Sequence, residues 1–309
     1  MGNRVGVIIV NYLSYSHANS CISSIKKNCH DEIIFIVIDN SPAPEISLIT
    51  DAHPDIIPII PGHNTGFAGG CNLGIARALE YGLNYVLLLN PDTRAENDIV
   101  AILREELEKD EQRALAGPKI VRDNSRRDIW FAGAKMNWWL KGTVHVLKDH
   151  TPAHDVACSV PFLSGCAMMI RSSVLRTVGP IPEDYFLYFE DADYSQRVLN
   201  SGFTIIYVPA AMLIHHVSST VGAQSYDHVY YISRNRIWFM QRWAKRHHYL
   251  VFMAYNILVK VPGSLIVFGL LARKPELVKA YIRGLWHGIV RRRETVGVDD
   301  HARTLDDGE

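Results

Sequence analysis

The sequence offers little from which a secreted, disulfide-held protein could be built. Five cysteines, Cys21, Cys29, Cys71, Cys158 and Cys166, are scattered over 309 residues with no CxxC pair. Their odd number and spacing argue against a disulfide framework and a structural zinc site, and fit a reducing compartment. An excess of one charge is also missing, since 32 Lys and Arg face 32 Asp and Glu. With formal net charge zero, no global field exists to gather nucleic acid. No internal repeat or low-complexity stretch is visible. The apolar run in "MGNRVGVIIVNY" is too short for a signal peptide and reads as a first strand. Gly6, where Ser or Thr is wanted, makes a poor myristoylation site.

What is present suits a packed α/β domain. The 48% hydrophobic and 21% charged content is ordinary for a soluble globular chain with an ample core. The length allows one large domain with an appendage. Apolar, β-branched runs at 5–10, 32–38, 56–60 and 85–89 alternate with helical patterns near 16–27, 69–81 and 98–109. Such alternation predicts a mostly parallel sheet with helices on both faces. Between 116 and 160 the strand signals are shorter and mixed, with three tryptophans, and suggest antiparallel additions. Helices at 171–178 and 191–200 and a strand at 204–208 follow.

The end of the chain breaks the charge balance. From 241 to 293 it carries Arg242, Lys245, Arg246, Lys260, Arg273, Lys274, Lys279, Arg283, Arg291, Arg292 and Arg293 against Glu276 alone. The apolar run 249–272 is about as long as a membrane span, yet Lys260, Pro262 and Gly263 sit in its middle. A midplane Lys is costly, so two shorter amphipathic helices lying in an anionic membrane surface are expected, broken at Pro262-Gly263. Buried packing on the domain and a true span are the alternatives.

Four clusters fall where strands end, the edge at which α/β sheets bind ligands. Asn11 and Tyr12 follow the first strand and Asp39 the second. Neighbouring parallel strands would bring them together around one planar group: Asp39 to accept from a pyrimidine imide N–H, Tyr12 to stack. An Asx turn ahead of Pro42 is the simpler use of Asp39. The stretch "HNTGFAGGCNLGI" places Gly66, Gly69 and Gly70 just before a helix, where backbone N–H groups could approach a phosphate. It does not keep the GxGxxG order and does not follow the first strand. In "LLLNPDTR" a buried strand ends at Asn90-Pro91-Asp92. A carboxylate there could hold Mg²⁺ or Mn²⁺ with phosphate oxygens, or merely cap the loop. Lastly, Glu190, Asp191 and Asp193 crowd the start of a helix. Acids are favoured there, but their mutual repulsion raises one pKa and equips one as a general base. His215 and His216 close the next strand, where a neutral imidazole could complete a metal site.

Seven pieces, in order across residues 5 to 240, resemble the family 2 glycosyltransferases, in particular their bacterial rhamnosyltransferase-like branch. They are "VIIVNY", "VIDNSP", "NTGFAGGCNLGI", "LLLNPD", "FLSGCAMMIRSSVLRTVGPIPEDYFLYFEDADYSQRVLNSG", "IHHVSST" and "YYISRNRIWF". The resemblance implies a GT-A fold, a nucleotide-sugar donor, a divalent cation and inversion at the anomeric carbon. It implies that Asp39 reads the base, with Asn11 and Tyr12 beside it. Asn64, Gly66, Phe67, Gly69 and Asn72 would line the ribose and diphosphate. Asp92 and His215, rather than His216, would hold Mg²⁺ or Mn²⁺. Asn90 stands where the family has the first Asp of its Asp-x-Asp motif, which removes one charge. Asp191 would be the catalytic base with Glu190 alongside, and Arg234, with Asn235, would touch diphosphate or acceptor.

On this basis the organisation expected is a GT-A domain over 1–240, a basic amphipathic helical extension over 241–295 and a flexible tail over 296–309. The activity expected is transfer of a sugar to a lipid-linked saccharide at the inner face of the cell membrane, in O-antigen or capsule assembly. Rhamnose from dTDP-rhamnose is the first reading of the donor, and a UDP-sugar (galactofuranose, galactose or GlcNAc) the alternative. A nucleotidyltransferase would need a basic phosphate loop near the first strand, which is absent. A non-catalytic nucleotide-sugar-binding protein would have no use for the acids at 190–193. A basic membrane adaptor would leave the strand-end motifs unexplained.

Overall fold

Fully buried strands fix the frame. In β1 (Val5–Asn11) the side chains of Val5, Val7, Ile8 and Ile9 are all withdrawn from water. Successive strand residues point to opposite faces, so both faces of this strand are covered. A computed structural model describes residues 4–124, 128–145, 155–216 and 225–290. The chain divides into two compact units. The first comprises Met1–Asn137, Thr143–Ile181 and Glu190–Thr220, and the second Trp138–Gly142, Pro182–Phe189 and Val221–Glu309. The "YYISRNRIWF" helix thus falls within the second unit.

In the first unit β1 leads through α1 (Tyr15–Asn28) to β2 (Ile33–Asp39), α2 (Ser47–Thr50) and β3 (Ile57–Ile59). Next come α3 (Gly66–Glu80), β4 (Tyr85–Leu89), β5 (Thr93–Ala95), α4 (Ile99–Glu108) and β6 (Arg113–Arg122). Short strands β7 (Ile129–Phe131), β8 (Ala134–Asn137), β9 (Gly142–His145) and β10 (Cys158–Ser159) precede β11 (Ala167–Arg171). The unit closes with α5 (Ser172–Val178), α6 (Glu190–Asn200) and β12 (Thr204–His215). The main sheet runs β10-β12-β6-β11-β4-β1-β2-β3. Pairs β1–β2, β1–β4, β2–β3 and β6–β12 are parallel, and β11 is antiparallel to both β4 and β6. The expected parallel sheet is present. The antiparallel additions are there too, as β7 against β6 and β10 against β12, and β8 pairs with β9 in a separate two-stranded sheet.

Register places the chemistry. Asn11 pairs with Asp39 and Ile9 with Leu89, so β1, β2 and β4 end side by side. Helix α3 lies close above this edge because Gly74 has no side chain. A Cβ there would stand 2.5 Å from Ile8 Cγ2 and 3.0 Å from Ile38 Cδ1.

The second unit contains α7 (Tyr226–Trp243), α8 (Arg246–Leu271) and α9 (Pro275–Val290). Two helices broken at Pro262-Gly263 were expected in the tail. Instead α8 continues through both residues for 26 residues and stops at Arg273, whose φ is +51°. The reason is local widening. Val261 N–H bonds to Asn256 C=O and Ala272 N–H to Val267 C=O, each five residues back. Wider turns of this kind relieve the clash between a proline ring and the preceding turn and absorb its missing donor. Close approach then fastens α9 to α7: a Cβ on Gly284 would lie 2.6 Å from Tyr230 C=O, and one on Gly288 2.9 Å from Ile237. Tyr281 also donates to Asn256 Oδ1 in the middle of α8. The expected tail at 296–309, Arg291 to Arg293, and the end of "IHHVSST" lie outside the described residues.

Gly74→Ala is expected to lower the unfolding midpoint by the equivalent of about 1–3 kcal/mol, through overpacking. Gly263→Ala, with nothing within 4 Å of the added methyl, should leave it unchanged or slightly raised. Thermal melts of the two variants check this, and equal melts would contradict the packing described.

Candidate active site

In the first strand-end cluster Asn11 and Asp39 stand side by side. Asn11 Nδ2 donates to Asp39 Oδ1 at 3.1 Å, and the Ser41 backbone N–H donates to the same oxygen. Asp39 Oδ2 accepts from Tyr15, not Tyr12, at 3.0 Å. Tyr15 opens α1, and its hydroxyl also accepts the Glu45 N–H. Tyr12 is half-buried. Asp39 and Asn11 are themselves buried, so their first role is to lock the ends of β1 and β2 together.

Next to them, Asn40 organises the glycine-rich turn. Its Nδ2 donates to Gly66 C=O at 2.8 Å and its Oδ1 accepts from Thr65 Oγ1 at 3.0 Å. Asn64 Oδ1 accepts the Gly66 N–H at 2.9 Å, in a turn that Gly66 enters at φ +72°, the left-handed region open to glycine. The Gly66 donor is therefore engaged within the protein. The following first-turn N–H groups, through Gly69, have no side-chain cap from Thr65 and so keep the donor character of a helix start. Asn72 faces elsewhere: its amide exchanges two hydrogen bonds with the Ile181 backbone.

The Asn90-Pro91-Asp92 turn answers to β12. Antiparallel pairing of β5 with β12 sets His215 opposite Thr93, and His216 N–H donates to Asp92 C=O. The result is a contact of 3.2 Å between His215 Nε2 and Asp92 Oδ1, both residues buried. His215 Nδ1 is buried with no hydrogen-bond partner. His216 turns away to pair with Asp123 at 2.8 Å, which agrees with preferring His215. Asn90 is half-buried, and its carbonyl accepts from Thr93 Oγ1 at 2.7 Å. Among the described residues no group of three or more His, Cys, Asp or Glu is placed to hold a metal. Asp92 and His215 fit a cation that takes its other ligands from water and phosphate, the habit of Mg²⁺.

Helix α6 presents the acids. Asp191 Oδ2 accepts the Gly165 N–H at 2.9 Å and Oδ1 the Ala192 N–H at 2.7 Å, which fixes the carboxylate plane. Burial pushes its pKa up, while those N–H groups and nearby His145 pull it back. Glu190 is raised further, first by burial and then by Asp191, and its Oε2 has no partner. Repulsion within such a pair makes its two protons leave in separate steps. Asp193 is bound to Arg197 at 2.9 Å and is structural. Phe67 does reach this corner: a Cβ on Gly165 would meet its ring at 3.0 Å and Asp191 Cβ at 3.4 Å.

Trp130 and His145 escaped the sequence reading. Trp130 lies edge-on to His215 with ring centres 4.6 Å apart, and to His145 at 5.4 Å. The expectations for Arg234 and Asn235 belong to the second unit. Arg234 donates to the carbonyl of Tyr185 and to Asn235 Oδ1, with its guanidinium 4.3 Å from the Trp238 ring centre. Asn235 Nδ2 donates to the carbonyls of Tyr185, Leu187 and Tyr188. Together they clamp a loop in which Phe186, Tyr188 and Phe189 all have positive φ, a cost of about 1–3 kcal/mol each.

Solved structures share this architecture. The chain is similar to GalNAc-T7, solved with UDP, GalNAc and Mn²⁺, at TM-score 0.66 and 13% identity, covering 93% of this chain and 56% of that one. It is similar to residues 1–349 of S. aureus TarS at TM-score 0.55 and 13% identity, covering 93% and 81%. The fold is that of the GT-A glycosyltransferases. Residues 6–179 match the model of glycosyl transferase family 2, and the chain belongs to that family and is a glycosyltransferase. Among curated proteins it is 28% identical to the low-salt glycan biosynthesis hexosyltransferase Agl10 of Haloferax volcanii, over 94% of this chain and 93% of that one. It is 23% identical to the dTDP-rhamnosyl transferase RfbF of Shigella flexneri, over 94% and 96%. It is also 23% identical to the N-acetylglucosaminyl-diphospho-decaprenol L-rhamnosyltransferase of Mycobacterium tuberculosis, over 74% and 81%.

The raised Glu190 pKa makes a prediction for stability. The folded state holds this proton longer than the unfolded chain, so the contribution is full below the unfolded value and is lost as pH rises through the folded one. Glu190→Gln should therefore flatten the fall in melting temperature between pH 5 and pH 9. Parallel curves for variant and wild type would contradict it.

Proposed function

We propose that the chain is an inverting, divalent-metal-dependent glycosyltransferase that moves rhamnose from dTDP-rhamnose to a hydroxyl of a lipid-linked saccharide. The single observation that carries this reading is the pair Asp92–His215, 3.2 Å apart, in the same unit as an oriented, half-buried Asp191. Mg²⁺ or Mn²⁺ held by Asp92 and His215 would supply Lewis-acid neutralisation of the departing nucleoside diphosphate. The chain's own residues do the rest. Asp191 takes the proton of the acceptor hydroxyl. The acceptor oxygen bonds to the anomeric carbon as the bond to the diphosphate breaks on the opposite face, inverting that centre. The N–H donors of Gly165 and Ala192 hold the base in one orientation throughout. Asp39, Asn11 and Tyr12 are assigned to the base of the nucleotide, and Asn64, Gly66, Phe67 and Gly69 to its ribose and phosphates. Asn72 supports the backbone at Ile181, and the contact of Arg234 with diphosphate or acceptor is left to the resemblance alone.

Rhamnose is favoured by the names of RfbF and of the mycobacterial relative, the second of which specifies a decaprenol-linked acceptor. The hexosyltransferase Agl10 keeps a UDP-hexose as the second reading. Asp191→Asn is expected to bind donor nearly as the wild type does but to turn over about 10² to 10⁴ times more slowly. Hydrolysis and thermal-shift screens of dTDP- and UDP-sugars, with and without Mn²⁺, provide the test. Full turnover by Asp191→Asn, or wild-type turnover indifferent to chelator, would refute the mechanism.

The second unit supports a site at the inner membrane face, in cell-surface polysaccharide assembly. Helix α8 has mean hydropathy 1.8 over its most apolar window, and Leu258, Leu270 and Leu271 are 73–75% exposed. Lys260, Arg273 and Lys274 lie close in sequence, a combination suited to an anionic interface. At 26 residues α8 is about 39 Å long and could also cross a bilayer. The Tyr281–Asn256 bond and the packing of α9 on α7 favour a helix that lies along the surface. Full-length protein is expected to float with phosphatidylglycerol vesicles and much less with neutral ones, and Leu258→Glu combined with Leu270→Glu should abolish flotation. Undiminished flotation of that double variant would remove the membrane role.

A further inference from the structure

Trp130 owes its placement to an irregularity in the sheet. Along β6 the adjacent residues Ile120 and Val121 pair with Phe131 and Ile129 of β7. One residue of β6 step therefore spans two of β7, and Trp130 is the extra residue of a β-bulge. Bulges re-aim side chains and gather beside active sites. On the other side of β6, His215 is paired with Arg122, and the indole reaches across the strand to it, ring centres 4.6 Å apart. It also meets His145, the last residue of β9, at 5.4 Å. His145 is itself held among Phe131 and Phe162, at 5.3 and 5.8 Å, and Phe162 lies three residues before Gly165, whose N–H binds Asp191. Trp130 thus touches the imidazole that faces Asp92 and a second one packed on the segment that leads to the backbone donor of Asp191.

The transferred sugar must occupy the interval between those two acids, with its leaving oxygen toward Asp92 and the attacking hydroxyl toward Asp191. We propose that Trp130, backed by His145, is the aromatic platform on which the transferred sugar lies, and that it selects a 6-deoxyhexose over a hexose bearing a 6-hydroxyl. This rests on the glycosyltransferase reading above. The physical cause is apolar surface. An indole offers a large flat apolar face, and Trp130 is only half-buried. A deoxysugar lays a methyl and ring C–H groups on such a face without desolvating a hydroxyl, whereas burying an unpaired hydroxyl is costly. Apolar pockets reject an added hydroxyl by no more than about 100-fold, so the preference is expected to be moderate.

The test compares dTDP-L-rhamnose with dTDP-L-mannose, which differs only by the 6-hydroxyl, as donors for wild type, Trp130→Ala and Trp130→Phe, by donor hydrolysis, with dTDP binding and the Mn²⁺ activation constant measured alongside. Wild type should favour the deoxy donor by about 10- to 100-fold in kcat/KM. Trp130→Ala should bring that ratio to within threefold of unity, chiefly through KM for dTDP-rhamnose. Its dTDP affinity and Mn²⁺ constant should stay within twofold, and Trp130→Phe should recover most of the ratio. An unchanged donor ratio in Trp130→Ala would overturn the platform. So would a loss of Mn²⁺ activation matching the loss of rate, since Trp130 would then serve only to prop His215. Wild-type turnover with no deoxy preference would overturn the selectivity while leaving the glycosyltransferase reading intact. Absence of wild-type turnover on every dTDP- and UDP-sugar would overturn both.

Discussion

The pairing of β5 with the end of β12 is the constraint on which the site depends. Three residues on each side, Thr93 to Ala95 against Leu213 to His215, join a turn near the middle of the fold to the last strand of the sheet. Without that short ladder, Asp92 would end an isolated loop, and His215 would be a buried imidazole with no chemistry. With it, an acid and an imidazole from distant parts of the chain face each other at 3.2 Å. Parallel register performs a similar task at the neighbouring edge, where Asn11 and Asp39 stand in line. Backbone hydrogen bonds thus position the charged groups, and the side chains then tie the strand ends together.

The acids of α6 show how burial assigns roles to adjacent like groups. Glu190 and Asp191 cannot both be charged cheaply inside the protein. Backbone N–H donors are given to Asp191, while Glu190 Oε2 is left without one. Burial raises both carboxyls, and the N–H donors of Gly165 and Ala192 together with His145 pull Asp191 back down.

The strand ends were legible in the sequence because buried β-branched runs stop abruptly at polar residues, and Asp39, Asp92, Asp191 and His215 all sit at such stops or at a helix start. Other parts of the site were hidden for definite reasons. Trp130 depends on a bulge, which exists only once β6 and β7 are paired. Tyr15, the first residue of α1, binds Asp39 through its hydroxyl, a contact that appears only once β1, β2 and α1 are packed. Asn40 carries no sequence signal of its role, yet its amide holds the glycine-rich loop by two hydrogen bonds. In α8 proline and glycine predicted a break that wider helical turns absorb. Local propensity, in that case, was overridden by a neighbouring change in hydrogen-bond spacing.

The central claim is spatial: one cation on Asp92 and His215, and one ionised carboxylate, Asp191, across the same cavity. The most direct measurement is a crystal structure of the full chain with dTDP and Mn²⁺. The account predicts Mn²⁺ bound by Asp92, His215 and both phosphates, with Asp191 facing the terminal phosphate across a gap wide enough for a sugar. Manganese ligated elsewhere, or an Asp191 turned away from the nucleotide, would contradict it.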